Sequence, residues 1–124
     1  ILPALKSGKM VISDRYLLSS ITYGLPECEK NFLIKINESF ILPTKTFIID
    51  VSPAWGIEKV GGRGEKKEYF EEEEKLEKTR KEYNMLAKEF ENVFVINGER
   101  SIQEIHQEIV QRISTYFANP ALAG

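Results

Sequence analysis

Two apolar runs that lack polar alternation constrain the fold of this chain more than any other feature. Residues 46–51 (TFIIDV) and 93–97 (VFVIN) are rich in β-branched and aromatic side chains. Strands that are covered on both faces have this composition, whereas a strand with one face in water alternates apolar and polar residues. A shorter apolar run at Met10–Ser13 predicts a further buried strand. The sequence therefore predicts a sheet of three strands, two of them separated by a long helical stretch.

Segments with helical periodicity lie between and after the predicted strands. Five such helices are predicted, at residues 16–23, 27–41, 53–60, 68–90 and 102–117. Ser52 and Pro53 supply an N-cap and a proline at the first helical position, and Ser101 with Glu104 forms a capping box. Because strands that alternate with helices are joined by right-handed crossovers, we predict an α/β fold with a parallel sheet.

Length and composition fit one small globular domain. The 124 residues are 42% hydrophobic, which is enough for one core. We predict a single α/β domain over residues 1–117, incomplete at its amino terminus because the chain opens with the last turns of a helix closed by Gly8, and a tail over 118–124. The net charge of −2 argues against nucleic acid as a partner, and the apolar runs are too short to span a membrane. The single cysteine, Cys28, cannot form an internal disulfide, which favours the cytoplasm.

Polar side chains follow each predicted strand. Asp14 and Arg15 come after the first, Asp50 lies near the end of the second, and Asn97 ends the third. Ligands of open α/β sheets bind outside the carboxyl ends of the strands. An arginine there can hold a phosphate through two N–H groups, and an aspartate can orient it or hold water on Mg²⁺. Taken alone, however, the Asp14–Arg15 pair is explained better by an ordinary ion pair at a strand end.

A glycine-rich basic loop, GGRGEKK at residues 61–67, separates a short predicted helix from a long one. Glycines can act as hinges and cations can contact phosphates, as a lid over a nucleotide requires. A plain surface loop would have the same composition. From the chemistry alone, both interpretations stay open.

The ordered set of motifs resembles the thymidylate kinase family. DRYLLSSITY at 14–23 is similar to the family's D-R-Y-x-x-S-x-x-A-Y, with Thr22 in the place of alanine. FIIDVSP at 47–53 resembles its fourth strand and the following turn. The segment 61–83 resembles its lid and the next helix, and 93–109 its last strand, adenine-side loop and last helix. The resemblance is collinear over nearly the whole chain and implies a P-loop NTPase-like parallel sheet with flanking helices.

The resemblance also implies an enzyme that transfers a phosphoryl group from ATP to dTMP with Mg²⁺, and that forms a homodimer. Arg15 would bridge the phosphates of the two nucleotides, Asp14 would place Mg²⁺ through water, and Arg63 would be a catalytic lid cation. The deoxynucleotide pocket would be lined by Tyr16, Ser19, Ser20, Tyr23 and Phe70. ATP would be contacted by Arg63, Lys66, Lys67, Asn97, Gly98 and Arg100.

One departure from the family concerns the P-loop. No G-x-x-x-x-G-K-[ST] sequence occurs in the chain, so its phosphate cradle, its lysine and its Mg²⁺-binding hydroxyl are absent here. The upstream helix in which the family keeps a phenylalanine and an arginine against thymine is absent too. We expect a native protein that is longer by at least two strands and their helices, and no activity from the 124 residues alone. The alternative hypothesis is a non-catalytic, truncated kinase relative that binds a nucleotide or pairs with another subunit.

Overall fold

A computed structural model of the chain describes residues 1–60 and 66–118. The chain divides into two compact units, with the boundary between Leu42 and Pro43. The single-domain organisation expected from the sequence stays a prediction. Side chains are described for all of these residues except 60, 66–71, 116 and 117.

The first unit contains three helices: α1 (Leu2–Lys6), α2 (Leu17–Gly24) and α3 (Lys30–Asn37). Gly8 follows α1 with a φ of 75°, and its N–H donates to the carbonyl of Leu5 at 2.9 Å, so the predicted helix end is confirmed. Helices α2 and α3 pack together around the buried side chains of Leu17, Leu18, Ile21 and Leu33.

Helix α3 is shorter than the predicted span of 27–41. The N–H groups of Glu27 and Cys28 both donate to the carbonyl of Gly24, so these residues complete the end of α2 instead of beginning α3. At the other end, the Asn37 side chain donates to the carbonyl of Leu33 at 2.7 Å. Side-chain bonds of this kind compete with the helical ladder, and the helix ends at this residue.

The predicted strand at Met10–Ser13 is wrong, and so is the expectation of three strands. These residues form neither helix nor strand, and Ile12 is 88% exposed. A strand exists only where a neighbouring strand accepts and donates its backbone hydrogen bonds, and no strand of the described residues pairs with this run. Asp14 and Arg15 therefore do not follow a strand here.

The second unit contains β1 (Thr46–Asp50), α4 (Pro53–Val60), α5 (Lys66–Glu89), β2 (Val93–Asn97) and α6 (Ile102–Ala118). The two strands are parallel, and their register runs from Thr46 opposite Val93 to Asp50 opposite Asn97. The crossover between them carries α4 and α5, which contact each other, and α5 also contacts β2. The predicted parallel α/β arrangement is confirmed for these two strands.

Local signals in the sequence fix several element ends. Ser52 Oγ accepts from the N–H of Trp55 at 3.4 Å, so the predicted start of α4 is confirmed. At α6, the Glu104 N–H donates to Ser101 Oγ at 3.3 Å while the Ser101 N–H donates to the Glu104 carboxylate at 3.0 Å, which is the predicted capping box. Helix α5 begins at Lys66, two residues before its predicted start, so Lys66 and Lys67 belong to a helix and not to a loop.

The two strands are less covered than their composition predicts. Ile49 is 45% exposed and Val95 is 43% exposed, whereas Ile96 is fully buried. In the described part of the chain the sheet has two strands, so each is an edge strand and each leaves apolar surface in water. The apolar stripe of α6 is likewise incompletely covered, since Ile102 at its start is 82% exposed.

Candidate functional site

A tight turn at the carboxyl end of the sheet follows β2. The N–H of Gly98 donates to the carbonyl of Asp50 at 2.8 Å, which extends the pairing of the two strands by one residue. Asn97 Oδ1 accepts from the N–H of Glu99 at 2.9 Å and shapes the turn as an Asx turn. A Cβ at Gly98 would lie 2.6 Å from Ile49 Cγ2, so only glycine fits without a shift. The predicted ATP-contacting residues Asn97 and Gly98 thus lie together at the end of β2, beside β1.

Asp50, the last residue of β1, is bound by α5. Arg80 Nε donates to Asp50 Oδ1 at 2.7 Å, and Arg80 Nη2 donates to Oδ2 at 2.8 Å, a bidentate ion pair between partly buried side chains. One turn later, Asn84 Nδ2 donates to Asp50 Oδ1 at 3.4 Å and to the carbonyl of Arg80 at 3.1 Å. The carboxylate at the end of β1 is therefore engaged by protein groups.

The same contacts set the charge states of the pair. Hydrogen bonding from Arg80 holds the pKa of Asp50 below its ordinary value, and partial burial opposes that effect only in part. The Asp50 carboxylate in turn raises the pKa of Arg80. Both side chains are ionised at neutral pH, and Asp50 is an acceptor with no proton to give.

Glu99 connects the turn after β2 with the start of α4. Its Oε1 accepts from the backbone N–H of Ser52 at 2.8 Å. Hydrogen bonding from Ser52 holds the pKa of Glu99 below its ordinary value, with a smaller electrostatic contribution from Arg80. The turn is thus attached to the residues that follow β1 by a side chain as well as by its backbone.

Arg100 was predicted to contact ATP, and the structure places its guanidinium against α6. Nε donates to the carbonyl of Asn97 at 3.2 Å, and Nη2 pairs with Glu108. Arg112 also pairs with Glu108, at 2.8 Å, and the two arginines together lower the pKa of that carboxylate. Arg100, Glu108 and Arg112 line an open cleft of about 750 Å³, together with Phe94.

The segment Asp14–Tyr23 carries the predicted phosphate and deoxynucleotide residues of the first unit. Arg15 has a φ of 61°, a left-handed conformation that costs a non-glycine residue about 1–3 kcal/mol. Ser13 Oγ donates to the carbonyl of Arg15 at 2.9 Å and supports this geometry. The guanidinium lies over the ring of Tyr23, with its central carbon 5.1 Å from the ring centroid.

The arrangement at Arg15 suits the binding of an anion. Both Asp14 and Arg15 are exposed, and a guanidinium whose face covers an aromatic ring keeps its N–H edge available for phosphate oxygens. Tyr16 is the N-cap residue of α2, and its carbonyl accepts from the N–H of Ser20 at 3.1 Å. Tyr16, Ser19 and Ser20 lie at the start of α2, and Tyr23 lies in its last turn, beneath the Arg15 guanidinium. The structure thus brings these predicted residues together at one helix.

Four predicted positions lie wholly or partly outside the described residues. Arg63 is one of the residues 61–65, which are not described. Lys66, Lys67 and Phe70 lie in α5, but their side chains are outside the described set. Their predicted roles toward ATP and the sugar stay predictions.

Comparison with known proteins assigns both of these segments to one protein family. A family model described as thymidylate kinase matches residues 1–109. The chain belongs to the thymidylate kinase family. It is 40% identical over 119 residues to a thymidylate kinase of Leptospira borgpetersenii, covering 90% of this chain and 55% of that protein. It is 37% identical over 122 residues to one of Fervidobacterium nodosum, covering 93% and 61%. A probable thymidylate kinase of Thermococcus gammatolerans is 34% identical over 109 residues, covering 87% and 52%.

The chain spans between about half and three fifths of the length of these thymidylate kinases. Its aligned region corresponds to their carboxy-terminal part. In the described residues, no helix is long and apolar enough to cross a membrane.

Sequence reasoning missed Arg80, Asn84 and Glu99 in this thymidylate kinase chain. A partly buried carboxylate at the end of an apolar strand calls for hydrogen-bond donors, and Arg80 is the one arginine in the sequence of α5, but nothing in the sequence indicates that these two residues meet. Arginine forms the bidentate pair that lysine cannot. No local pattern pointed to Asn84 or Glu99, whose partners lie far away in sequence.

Thymidylate kinases use ATP and usually Mg²⁺. The carboxylates of the described residues fit a Mg²⁺ ion whose ligands are mainly phosphate oxygens and waters. Among the described residues no group of three or more His, Cys, Asp or Glu side chains could enclose a metal. Mg²⁺ in nucleotide sites keeps several waters and takes one or two carboxylates besides the phosphates. The exposed Asp14 carboxylate can hold such a water, whereas Asp50 is committed to Arg80.

Proposed function

We propose that the whole protein is a thymidylate kinase that transfers the terminal phosphoryl group of ATP to dTMP and releases ADP and dTDP. The observation that carries the proposal is the geometry of Arg15 in a chain of this family. Its left-handed backbone and its contact with Tyr23 present an exposed guanidinium at the start of α2. Phosphoryl transfer depends on positioning and charge stabilisation more than on a nucleophilic side chain, and a guanidinium supplies both.

The roles proposed for the individual residues are those that the resemblance to the family implies. Arg15 binds the phosphates between which the phosphoryl group moves, and Asp14 holds water on the magnesium ion that accompanies ATP. The monophosphate nucleotide is bound along α2 by Tyr16, Ser19, Ser20 and Tyr23, and Phe70 of α5 contacts its sugar. Asn97 and Gly98 border the adenine from the end of β2, and Arg100 shapes that border through its bond to the Asn97 carbonyl.

The remaining donors are proposed from the family. Arg63, Lys66 and Lys67 contact the ATP phosphates, and the two units belong to one P-loop NTPase-like domain. The chain contains no G-x-x-x-x-G-K-[ST] sequence, so the backbone cradle for the phosphates has to come from elsewhere in the whole protein. We therefore propose that residues 1–124 alone do not catalyse the reaction.

A homodimer in the cytoplasm is also proposed. Phe32 and Ile36 of α3, with Phe40 just beyond it, are exposed at spacings of four residues and offer an apolar face for helix packing. Cys28 is exposed and unpaired, as suits a reducing compartment. Sedimentation of the whole protein as a monomer at micromolar concentration would contradict the dimer.

The test of the proposed function is an assay of ADP release by the whole protein with dTMP, dUMP, dCMP or UMP as acceptor. We expect dTMP to be the preferred acceptor, because the segment Asp14–Tyr23 matches the family's motif in all but Thr22. A clear preference for another monophosphate would overturn the substrate. Absence of ADP release with all four would favour the non-catalytic alternative.

A further inference from the structure

We infer that Arg80 is a positioning residue that acts through Asp50 to hold the turn Asn97–Arg100 at the carboxyl end of the sheet. The inference rests on the proposed function, because it takes this turn as the ATP side of the site. Arg80 belongs to α5, and its guanidinium donates to Asp50, which is not one of the proposed nucleotide-contacting residues. Its effect on ATP would be indirect, through the residues that it holds.

Two hydrogen bonds attach the turn to residues at and just after the end of β1. Its backbone bonds there through the Gly98 N–H and the Asp50 carbonyl, at 2.8 Å. Its side chain Glu99 bonds there through the Ser52 N–H, also at 2.8 Å. Gly98 also packs closely against Ile49 and Val51. Any displacement of residues 49–52 would therefore displace the turn.

Arg80 fixes the residue on which these contacts converge. The carbonyl of Asp50 holds the turn, and its carboxylate is held by both Nε and Nη2 of Arg80. Glu99 carries a negative charge close enough to Arg80 to be attracted by it. A continuous series of contacts therefore runs from α5 through Asp50 to Gly98.

A purely stabilising role explains this geometry less well. Helix α5 already has an apolar anchor in Leu86, which is fully buried. A partly buried ion pair adds little net stability, because the loss of hydration offsets most of the attraction, whereas its bidentate geometry fixes orientation closely. The pair is therefore better suited to setting the position of Asp50 than to holding the helix on the sheet.

The experiment compares Arg80→Gln with the matched control Lys78→Gln in the whole protein. Lys78 lies two residues away on α5 and makes an exposed ion pair with Glu74. For Arg80→Gln we expect the amides of Gly98 and Glu99 to exchange hydrogen about tenfold faster and the KM for ATP to rise about tenfold, since small displacements of a binding group are costly. The KM for dTMP should be unchanged, and Lys78→Gln should change none of the three.

Two further variants separate positioning from folding. Arg80→Lys keeps the charge but not the bidentate geometry, so it should restore only part of the ATP affinity. Asp50→Asn should reproduce the faster exchange at Gly98, and its combination with Arg80→Gln should add little, because both act through one contact. If Arg80→Gln does not fold, the exchange measurement on Asp50→Asn decides the matter.

The inference is overturned if the amides of Gly98 and Glu99 keep wild-type exchange rates in the folded variants, or if the KM values for ATP and dTMP rise equally. Failure of the proposed function has a different signature. It would appear as a wild-type protein that does not phosphorylate dTMP, and the exchange rates would still decide the role of Arg80.

Discussion

Arg15 and Arg80 are both accompanied by an aspartate, yet the two regions hold their arginines in opposite ways. Arg80 lies in the middle of α5, is partly buried, and donates to Asp50 from two of its three guanidinium nitrogens, Nε and Nη2. Arg15 is exposed, has a left-handed backbone, and lies over the ring of Tyr23. The Arg80 guanidinium has its hydrogen bonds with a carboxylate of the protein, whereas the Arg15 guanidinium is exposed to solvent.

The difference teaches how to separate structural from ligand-binding arginines in this chain. A guanidinium that already grips a carboxylate with two hydrogen bonds has little to offer a phosphate, since the same donors would have to be released. A guanidinium with its N–H edge in solvent keeps these donors for a ligand, and backbone strain that the surrounding structure maintains is typical of functional sites. This contrast predicts that substitution of Arg15 mainly lowers activity, whereas substitutions in the turn that packs on the end of β1 mainly lower stability.

The largest expected effect is at Arg15. In the whole protein, Arg15→Ala should lower kcat by about 100-fold or more, as the loss of a charge-stabilising donor does. Arg15→Gly should lose as much activity yet be more stable than Arg15→Ala by about 1 kcal/mol, because glycine tolerates a φ of 61° and alanine does not. Steady-state kinetics and urea denaturation measure the two effects. Near-wild-type turnover of Arg15→Ala would contradict the proposed role of Arg15 in phosphoryl transfer. Equal stability of the two variants would contradict backbone strain at this position.

The next effect is structural and lies at the turn after β2. Gly98→Ala should lower the free energy of unfolding by about 1–3 kcal/mol, because the new Cβ would lie 2.6 Å from Ile49 Cγ2 and 2.7 Å from Val51 Cγ1. Gly56→Ala is the matched control in α4, where the added Cβ has its nearest neighbour, Val51 Cγ2, at an ordinary 3.9 Å. There alanine should stabilise the protein by up to about 1 kcal/mol through helix propensity. Thermal unfolding of both variants checks the pair, and a neutral Gly98→Ala would show that the turn is not tightly held.

What could be predicted from the sequence was local. The strand Val93–Asn97 has the predicted bounds, and the caps at Ser52 and Ser101 are present, because each depends on neighbours within four residues. The wrong strand at Met10–Ser13 shows the limit, since an apolar run indicates burial but not which strand will pair with it.

The candidate site divides in the same way. The predicted residues from Asp14 to Tyr23 are contiguous on one helix start, so a motif could identify them. The Asp50–Arg80 pair joins positions 30 residues apart, and Ser52 and Glu99 are 47 apart. The first contact depends on where α5 lies against the sheet and the second on how β1 pairs with β2, and no local pattern contains either. The non-local contacts that hold the turn in place were therefore the part of the site that the sequence could not reveal.

The smallest expected effect returns to the first unit and concerns the buried face of α2. Thr22 is 4% exposed, and its hydroxyl has no hydrogen-bond partner among the described residues. Thr22→Val keeps the shape and removes this polar group, so it should raise the free energy of unfolding by about 1 kcal/mol. Thr79→Val on α5 is the control, because the Thr79 hydroxyl is exposed and donates to the carbonyl of Lys75 at 3.0 Å, and it should bring no gain.

Urea denaturation of the two valine variants in the whole protein shows whether the Thr22 side chain packs among apolar groups or its hydroxyl makes a hydrogen bond there. A gain at Thr22 alone would mean that the packing of α2 is completed by apolar neighbours, as the family's alanine at this place in the motif suggests. A loss at Thr22 would mean that its hydroxyl is bonded in the whole protein. Helix α2 would then be held by a polar contact on its buried face, as the end of β1 is held by Asp50. The two regions would differ in whether their arginine is exposed to a ligand, and not in how firmly their polar groups are bonded.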